Sequence, residues 1–251
     1  MASNKPKEPT KEDLLLQIQE IENAKNEFVS IASHQLRTPL TAIRWSIELL
    51  KKDSLDNLTA EQKDFLQDIN VSVSNMARLI GDLLTVSRID MHRKFDFIFE
   101  KVNLTTLINK VIEEQMITGD TKNVGIKYKQ NSKKPIYISA DREKIQQALQ
   151  NIVNNSVKYS KNDGTVKIDC KETARKIQIK IKDDGIGIPK SQQKNVFEKF
   201  FRSDNAVLTN SGGTGLGLYI TKEIIEGHYG KVWFESAPKK GTTFFVSLPR
   251  N

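Results

Sequence analysis

From about residue 11 to residue 53, apolar side chains return every three, four or seven positions: Leu14, Ile18, Ile21, Phe28, Ala32, Leu36, Ile43, Ile47 and Leu50. That spacing puts them on one face of a helix, and its persistence over several heptads predicts the seam of a bundle or coiled coil. Pro39 interrupts the run. It has no N–H for the helix ladder and is expected to bend the helix just after His34. A polar turn, Asp53–Leu58, comes next, and Thr59-Ala60-Glu61-Gln62 has the form of a capping box that opens a second helix to about Asp90. The stripe of that helix is Phe65, Ile69, Val73, Met76, Ile80 and Leu83. Two helices joined by a short turn make an antiparallel hairpin. A hairpin this long leaves apolar surface uncovered, and two copies packed as a four-helix bundle would cover it. A homodimer is therefore expected from packing alone.

After about residue 92 the period changes. Phe95, Phe97 and Phe99 alternate as in a strand, and Leu104–Met116 has helical spacing. Ile126–Lys129 and Ile136–Ser139 predict short strands, and Asp141 is placed to cap a helix running through Asn151–Tyr159. Strands are predicted at Val166–Glu172 and Lys176–Asp183, then a helical stretch at Gln192–Phe200. A loop rich in Ser, Asn, Thr and Gly occupies Ser203–Gly213, a helix Leu216–Glu226, and strands Lys231–Ser236 and Thr242–Leu248. The expected class is α plus α+β. A disordered leader (1–10) and a helical hairpin (11–92) precede a second domain (93–251) with helices on one face of a largely antiparallel sheet.

Composition narrows the partners. The 251 residues are 37% hydrophobic, enough for a core. No apolar run approaches the ~18–20 residues of a membrane span, and the N-terminus lacks the apolar region of a signal peptide. A cytoplasmic chain with no direct membrane span is expected; an anchor in a longer parent is left open. The net charge of +8 suits nucleic acid in principle. Many lysines, however, alternate with apolar residues, as in Lys176-Ile177-Gln178-Ile179-Lys180-Ile181-Lys182. That is the solvated face of a strand, so no nucleic-acid partner is expected. The single cysteine, Cys170, alternates with Val166 and Ile168 and reads as a core thiol. No Cys/His cluster offers a metal site.

Five segments carry candidate chemistry. His34 points roughly 190° from the apolar stripe at ~100° per residue, toward solvent or a partner. An exposed neutral imidazole is a nucleophile near neutral pH, and Arg37 and Thr38 lie three and four residues on. An ordinary surface histidine is the plain alternative. Asn151 and Asn155 share a helix face with Lys158 and Tyr159. Amide oxygens can hold Mg²⁺ beside a triphosphate, and a lysine meets phosphate as a point charge. A merely polar helix face has the same pattern. Asp183-Asp184-Gly185-Ile186-Gly187 ends a strand. There a carboxylate can accept from an adenine amino group, and glycines allow close approach of the ring. A tight turn is the alternative. Gly213-Thr214-Gly215-Leu216-Gly217 opens a helix whose N–H groups suit phosphate. Without a preceding βαβ unit it does not indicate a dinucleotide site. Phe197–Arg202 lies between the two glycine segments, where aromatics can hinge a lid and Arg202 can reach phosphates, or simply pack on the core. His92 and His228 read as exposed or structural, His228 as a helix-end cap.

Taken together, residues from about 20 to 250 resemble the catalytic core of a two-component sensor histidine kinase. His34–Leu40 is similar to the family's H-box, Asn151–Tyr159 to its N-box and Asp183–Gly187 to its first G-box. Phe197–Arg202 is similar to the F-box and Gly213–Gly217 to the second G-box, and Gly241-Thr242-Thr243-Phe244 also fits. Five motifs in the family's order are not expected by chance. The resemblance implies a dimerisation and histidine-phosphotransfer hairpin followed by an α/β sandwich of GHKL type that binds ATP with Mg²⁺. His34 would take the γ-phosphate and pass it to an aspartate on a response-regulator receiver domain. Asn155 would hold Mg²⁺ and Asn151 would lie near the transferring phosphate. Lys158 and Tyr159 would sit at the phosphates or ribose, with Arg202, Gly213, Gly215 and Gly217 lining the phosphate side. Asp183 would read adenine, with Gly185, Gly187 and Thr242 around the ring. Thr38 corresponds to the residue that orients water when the regulator is dephosphorylated.

Family members usually carry Glu or Asp directly after the phosphorylated histidine; this chain has Gln35. A neutral amide accepts a hydrogen bond from the ring but cannot take its proton. Gln35 is the one support for the alternative of a catalytically weak dimeric scaffold or a phosphatase-biased homologue. A GHKL ATPase of another type fits less well with His34 on the exposed face of a long hairpin. The stripe continues ahead of residue 28 as an input coiled coil would, so an upstream sensor domain absent from this chain is expected.

Overall fold

The computed structural model describes residues 29, 32–33, 35–50, 58–90, 97–117, 123–131, 134–209 and 213–250. The leader, the stripe residues Leu14 to Phe28, the turn up to residue 57, Phe95, His92, Gly212 and His34 itself lie outside them. The chain divides into two compact units, Met1–Arg93 and Lys94–Asn251.

In the first unit, residues 35–50 form helix α1, unbroken through Pro39, and Ala60–Asp90 forms α2. The start of α2 is a reciprocal capping box. The Gln62 N–H donates to Thr59 Oγ1 at 3.2 Å, and the Thr59 N–H donates to Gln62 Oε1 at 2.9 Å. The apolar stripe splits into two rows. Ile47 of α1, together with Leu40, which the stripe did not include, buries against Val73 and Ile80 of α2, with Leu84 beside them. Leu36, Ile43, Leu50, Phe65, Ile69 and Met76 remain exposed on the hairpin. No helix among the described residues is long and apolar enough to cross a membrane.

The second unit opens with Phe97–Phe99, which is irregular rather than the strand its alternation suggests; β1 begins only at Glu100 and runs to Asn103. Then come α3 (Leu104–Ile117), β2 (Gly125–Gln130), β3 (Tyr137–Ala140) and α4 (Arg142–Tyr159). Strands β4 (Thr165–Glu172) and β5 (Lys176–Lys182) follow. The stretch expected to be helical from Gln192 is instead a 3₁₀ helix, Lys190–Asn195, set off by Pro189 and followed by turns. The polar loop holds a short helix, α5 (Asp204–Thr209), before α6 (Gly217–Gly227), β6 (Lys231–Ser236) and β7 (Thr242–Pro249). Strands β1 and β3 pair as a ribbon, and the main sheet has the order β2-β4-β5-β7-β6. All its pairings are antiparallel except β2 with β4.

Alternation builds the core. Val166, Ile168 and Cys170 of β4, Ile177, Ile179 and Ile181 of β5, and Phe244, Val246 and Leu248 of β7 point inward. Those of β4 and β5 meet the buried face of α4, which includes Ile145, Leu149, Ile152 and Val153. Each such side chain contributes roughly 1.5–3 kcal/mol by burial. Lys167, Lys171, Lys180 and Lys182 take the outward positions, the solvated strand face read from the sequence. Burial pushes the Cys170 thiol up to about 12, with Glu172 adding to the push, so it stays protonated core filling.

Candidate active site

Helix α4 starts where Asp141 Oδ1 accepts the Lys144 N–H at 3.0 Å. It carries Asn151, Asn155, Lys158 and Tyr159, all half-buried. Asn151 donates from Nδ2 to the Gly217 carbonyl at 3.1 Å, joining the N-box helix to the first turn of α6. A Cβ on Gly217 would lie 3.5 Å from Asn151 Cγ. Asn155, one turn on, makes no side-chain hydrogen bond with another described residue. Lys158 Nζ stands 5.5 Å from the Tyr159 ring centre.

The end of β5 delivers Asp183, 4% exposed. Its Oδ1 accepts the N–H groups of Gly185 and Thr242, both at 2.9 Å. Among the described residues nothing donates to Oδ2. Burial pushes this carboxyl above its ordinary value; the Gly185 and Thr242 N–H groups pull the other way, and neighbouring Asp184 adds to the push. The turn is tight because its glycines touch backbone. A Cβ on Gly185 would come within 2.0 Å of the Tyr159 carbonyl oxygen. Gly187 has φ 66° and would press a Cβ to 1.9 Å from the Ala237 carbonyl oxygen. Gly241, at φ 82°, abuts the Asp183 carbonyl in the same way, at 2.2 Å. The Thr242 hydroxyl lies 2.9 Å from the Ser236 hydroxyl, which in turn accepts the Ile188 N–H.

The second glycine segment is held by the F-box. Gly215 has φ 71°, and a Cβ there would meet the Phe200 backbone at 2.6 Å. Beside Gly213 two cations converge: a Cβ would lie 3.3 Å from Lys158 Nζ and 3.6 Å from Arg202 Nε. Arg202 also donates from Nη2 to the Ala206 carbonyl at 3.3 Å. Phe197 packs on Phe234, with ring centres 5.8 Å apart, whereas Phe200 is exposed. Lysine and arginine beside glycine N–H groups can bind a polyphosphate, and a buried strand-end carboxylate with one bare oxygen can accept from a base. Both arrangements occur in this one unit.

Gln35 and Thr38 are exposed on α1, flanked by buried Ser33 and Leu40. The sequence reading missed three residues that hold the site's loops. Asn205 Nδ2 donates to the Gly187 carbonyl at 2.7 Å, the Thr221 hydroxyl donates to the Gly217 carbonyl at 2.8 Å, and Ser236 joins Ile188 to Thr242. Asn205 and Ser236 reach partners 18 and 48 residues away, so no local pattern marks them, whereas Thr221 bonds one helical turn back, as a helical threonine can.

Comparison with known families decides what this arrangement is. Residues 24–92 match the His Kinase A (phospho-acceptor) domain, and residues 140–251 match the histidine kinase-, DNA gyrase B- and HSP90-like ATPase domain. The chain belongs to the histidine kinases. As a histidine kinase core it is 37% identical over 235 residues to the sensor protein kinase WalK of Staphylococcus aureus strain MRSA252. That match covers 92% of this chain and 38% of WalK, so the chain spans well under half of that relative. Full-length ShkA, solved in complex with AMPPNP, has a like fold at TM-score 0.71 and 24% identity, over 89% of this chain and 46% of ShkA. The mycobacterial sensor histidine kinase MprB matches at TM-score 0.54 and 27% identity, over 61% of this chain and 99% of the MprB structure.

Proposed function

We propose that this chain is an ATP-dependent protein-histidine kinase that phosphorylates His34 and relays the phosphoryl group to an aspartate of a response-regulator receiver domain. The observation that carries the reading is Asp183: a buried carboxylate pinned through one oxygen by two backbone N–H groups, with the other left for an adenine amino group. Lys158, Arg202 and Gly213 would take the phosphates, and Asn151 would sit near the transferring group. In transfer, a His34 ring nitrogen forms a bond to the γ-phosphorus as the β–γ bridging oxygen leaves with ADP and the imidazole loses its proton. Gln35 can orient the ring but not take that proton. Catalysis here is chiefly positioning and charge stabilisation.

Among the described residues no cluster of three or more His, Cys, Asp or Glu forms. A divalent cation would therefore rest on an amide oxygen together with phosphate and water, a donor set that fits Mg²⁺, with Asn155 as the protein ligand. Bound there, Mg²⁺ would neutralise phosphate charge. Dimerisation through the hairpin is supported by the exposed row Leu36, Ile43, Leu50, Phe65, Ile69 and Met76. The exposed Thr38 is available to a dephosphorylating mode.

The test is incubation with Mg²⁺ and γ-labelled ATP. The reading expects label that is stable in alkali, labile in acid and absent after chelation. Acid-stable label, or none while ATP still binds, contradicts it.

A further inference from the structure

The segment by which the chain enters the second unit is tied to both helices of the candidate site. The Ile98 N–H donates to Asp141 Oδ2 at 3.2 Å, while Oδ1 of the same carboxylate caps α4. The Asp141 N–H donates in turn to His228 Nε2 at 2.9 Å. A bare Nε2 puts the ring proton on Nδ1, which donates to the Ile224 carbonyl at 2.7 Å at the end of α6. Phe97 and Phe99 close on the imidazole, with ring centres 4.4 and 5.1 Å away. Phe97 also fills the notch at Gly227, where a Cβ would come within 2.3 Å of its ring. His228 is 2% exposed, and burial holds its pKa below the ordinary value, against the opposing pull of the Ile224 carbonyl and Asp141. It therefore remains the neutral imidazole that both hydrogen bonds require.

These contacts close a ring. The start of α4 meets the end of α6 through Asp141 and His228, and Asn151 meets the start of α6 through Gly217. Residues 97–99 enter the ring at its Asp141–His228 end. A cap that served one helix alone would need only Lys144 or only Ile224. Here one carboxylate and one imidazole join three segments, 43 and 87 residues apart in sequence.

We propose that Asp141 and His228 are positioning residues for phosphoryl transfer, clamping residues 97–99, the chain's route from the phospho-acceptor hairpin, onto the two helices that carry the N-box and the second glycine segment. This rests on the histidine kinase reading. A tether anchored on the site's own helices limits the orientations in which bound ATP meets His34. Loosening it lowers the effective concentration of the γ-phosphate at the acceptor without touching the nucleotide's contacts.

Three variants of the whole chain separate this from simple capping. Asp141→Asn retains a good N-cap and the backbone N–H, but has one carbonyl oxygen for two donors. His228→Phe keeps the ring packing and removes both nitrogens. His228→Gln can accept from Asp141 and donate to Ile224 through one amide. The expected result for Asp141→Asn and His228→Phe has three parts. Amides of residues 97–99 exchange hydrogen at least roughly tenfold faster, ATP affinity stays within about twofold, and autophosphorylation slows at least roughly tenfold, with His228→Gln recovering most of the loss. Unchanged exchange overturns the clamp. Faster exchange with unchanged labelling overturns its role, as does a loss of ATP affinity in step with labelling. If the parent takes no label, the kinase reading fails, and the exchange rates still decide the clamp.

Discussion

Replacing Asp183 by asparagine should leave the fold intact and remove the recognition of adenine. The amide oxygen of Asn can take both backbone donors that now reach Oδ1, from Gly185 and Thr242. Its NH₂ then replaces Oδ2 and meets the adenine amino group donor to donor. A hydrogen bond to a charged group contributes about 1.5–3 kcal/mol net, which is roughly a 12- to 150-fold loss of ATP affinity. Stability should move the other way. The folded-state pKa of Asp183 is raised by burial, so its contribution to stability is present at low pH and lost as pH rises through the folded value. At neutral pH an amide at this position relieves that cost, and the variant should melt at or above the parent's temperature. Calorimetric titration with ATP and with inosine triphosphate, which has a carbonyl oxygen where adenine has the amino group, is the assay. The parent should prefer ATP, and Asp183→Asn should bind the inosine nucleotide at least as well as ATP. ATP affinity within twofold of the parent, with the preference unchanged, would refute the assignment.

Gly241→Ala combines a φ of 82° with a Cβ 2.2 Å from the Asp183 carbonyl oxygen. It should cost about 1–3 kcal/mol or more in denaturant titration and weaken ATP binding; an unchanged midpoint contradicts the packing argument. Ile43→Glu with Leu50→Glu puts charge in the exposed hairpin row and should give a monomer by light scattering, whereas a persisting dimer would place the interface elsewhere. Gln35→Glu supplies the missing base and should speed autophosphorylation on the order of tenfold or more; equal rates would remove the base argument. The pKa of His228 is lowered by burial, so the stability of its neutral form is present above the ordinary value of 6.5 and lost as pH falls through the lowered folded value. The parent's melting temperature should therefore drop more steeply than that of His228→Gln as pH falls below 6.5, and parallel curves would count against it.

Local signals were legible wherever the determining partners are close in sequence. Thr59 and Gln62 cap α2 reciprocally, and Asp141 caps α4, as their spacing indicates. The alternation in β4, β5 and β7 places each buried residue. Misreadings arose where a distant partner decides. Phe97 and Phe99 alternate like a strand, but His228, more than 120 residues on, captures their rings and keeps the backbone irregular. The Ser203–Gly213 stretch has no apolar period. Helix α5 forms there with Gln192 bonded to Asp204 and Asn205 bonded to Gly187. The parallel pairing of β2 with β4 is likewise a matter of topology, which no strand pattern encodes. At the candidate site the glycines were legible as motifs. The reasons for them, Tyr159 behind Gly185 and Ala237 behind Gly187, are tertiary. In the hairpin one stripe was read where there are two rows, because the split depends on which face meets the partner helix.

The central claim is that ATP bound by the second unit phosphorylates His34. It is tested most directly by comparing the parent with His34→Ala at matched ATP occupancy, with Mg²⁺ and γ-labelled ATP. The account predicts alkali-stable, acid-labile label on the parent, mapped to His34 by mass spectrometry, and none on His34→Ala while its ATP affinity is unchanged. Equal label on both chains would contradict it.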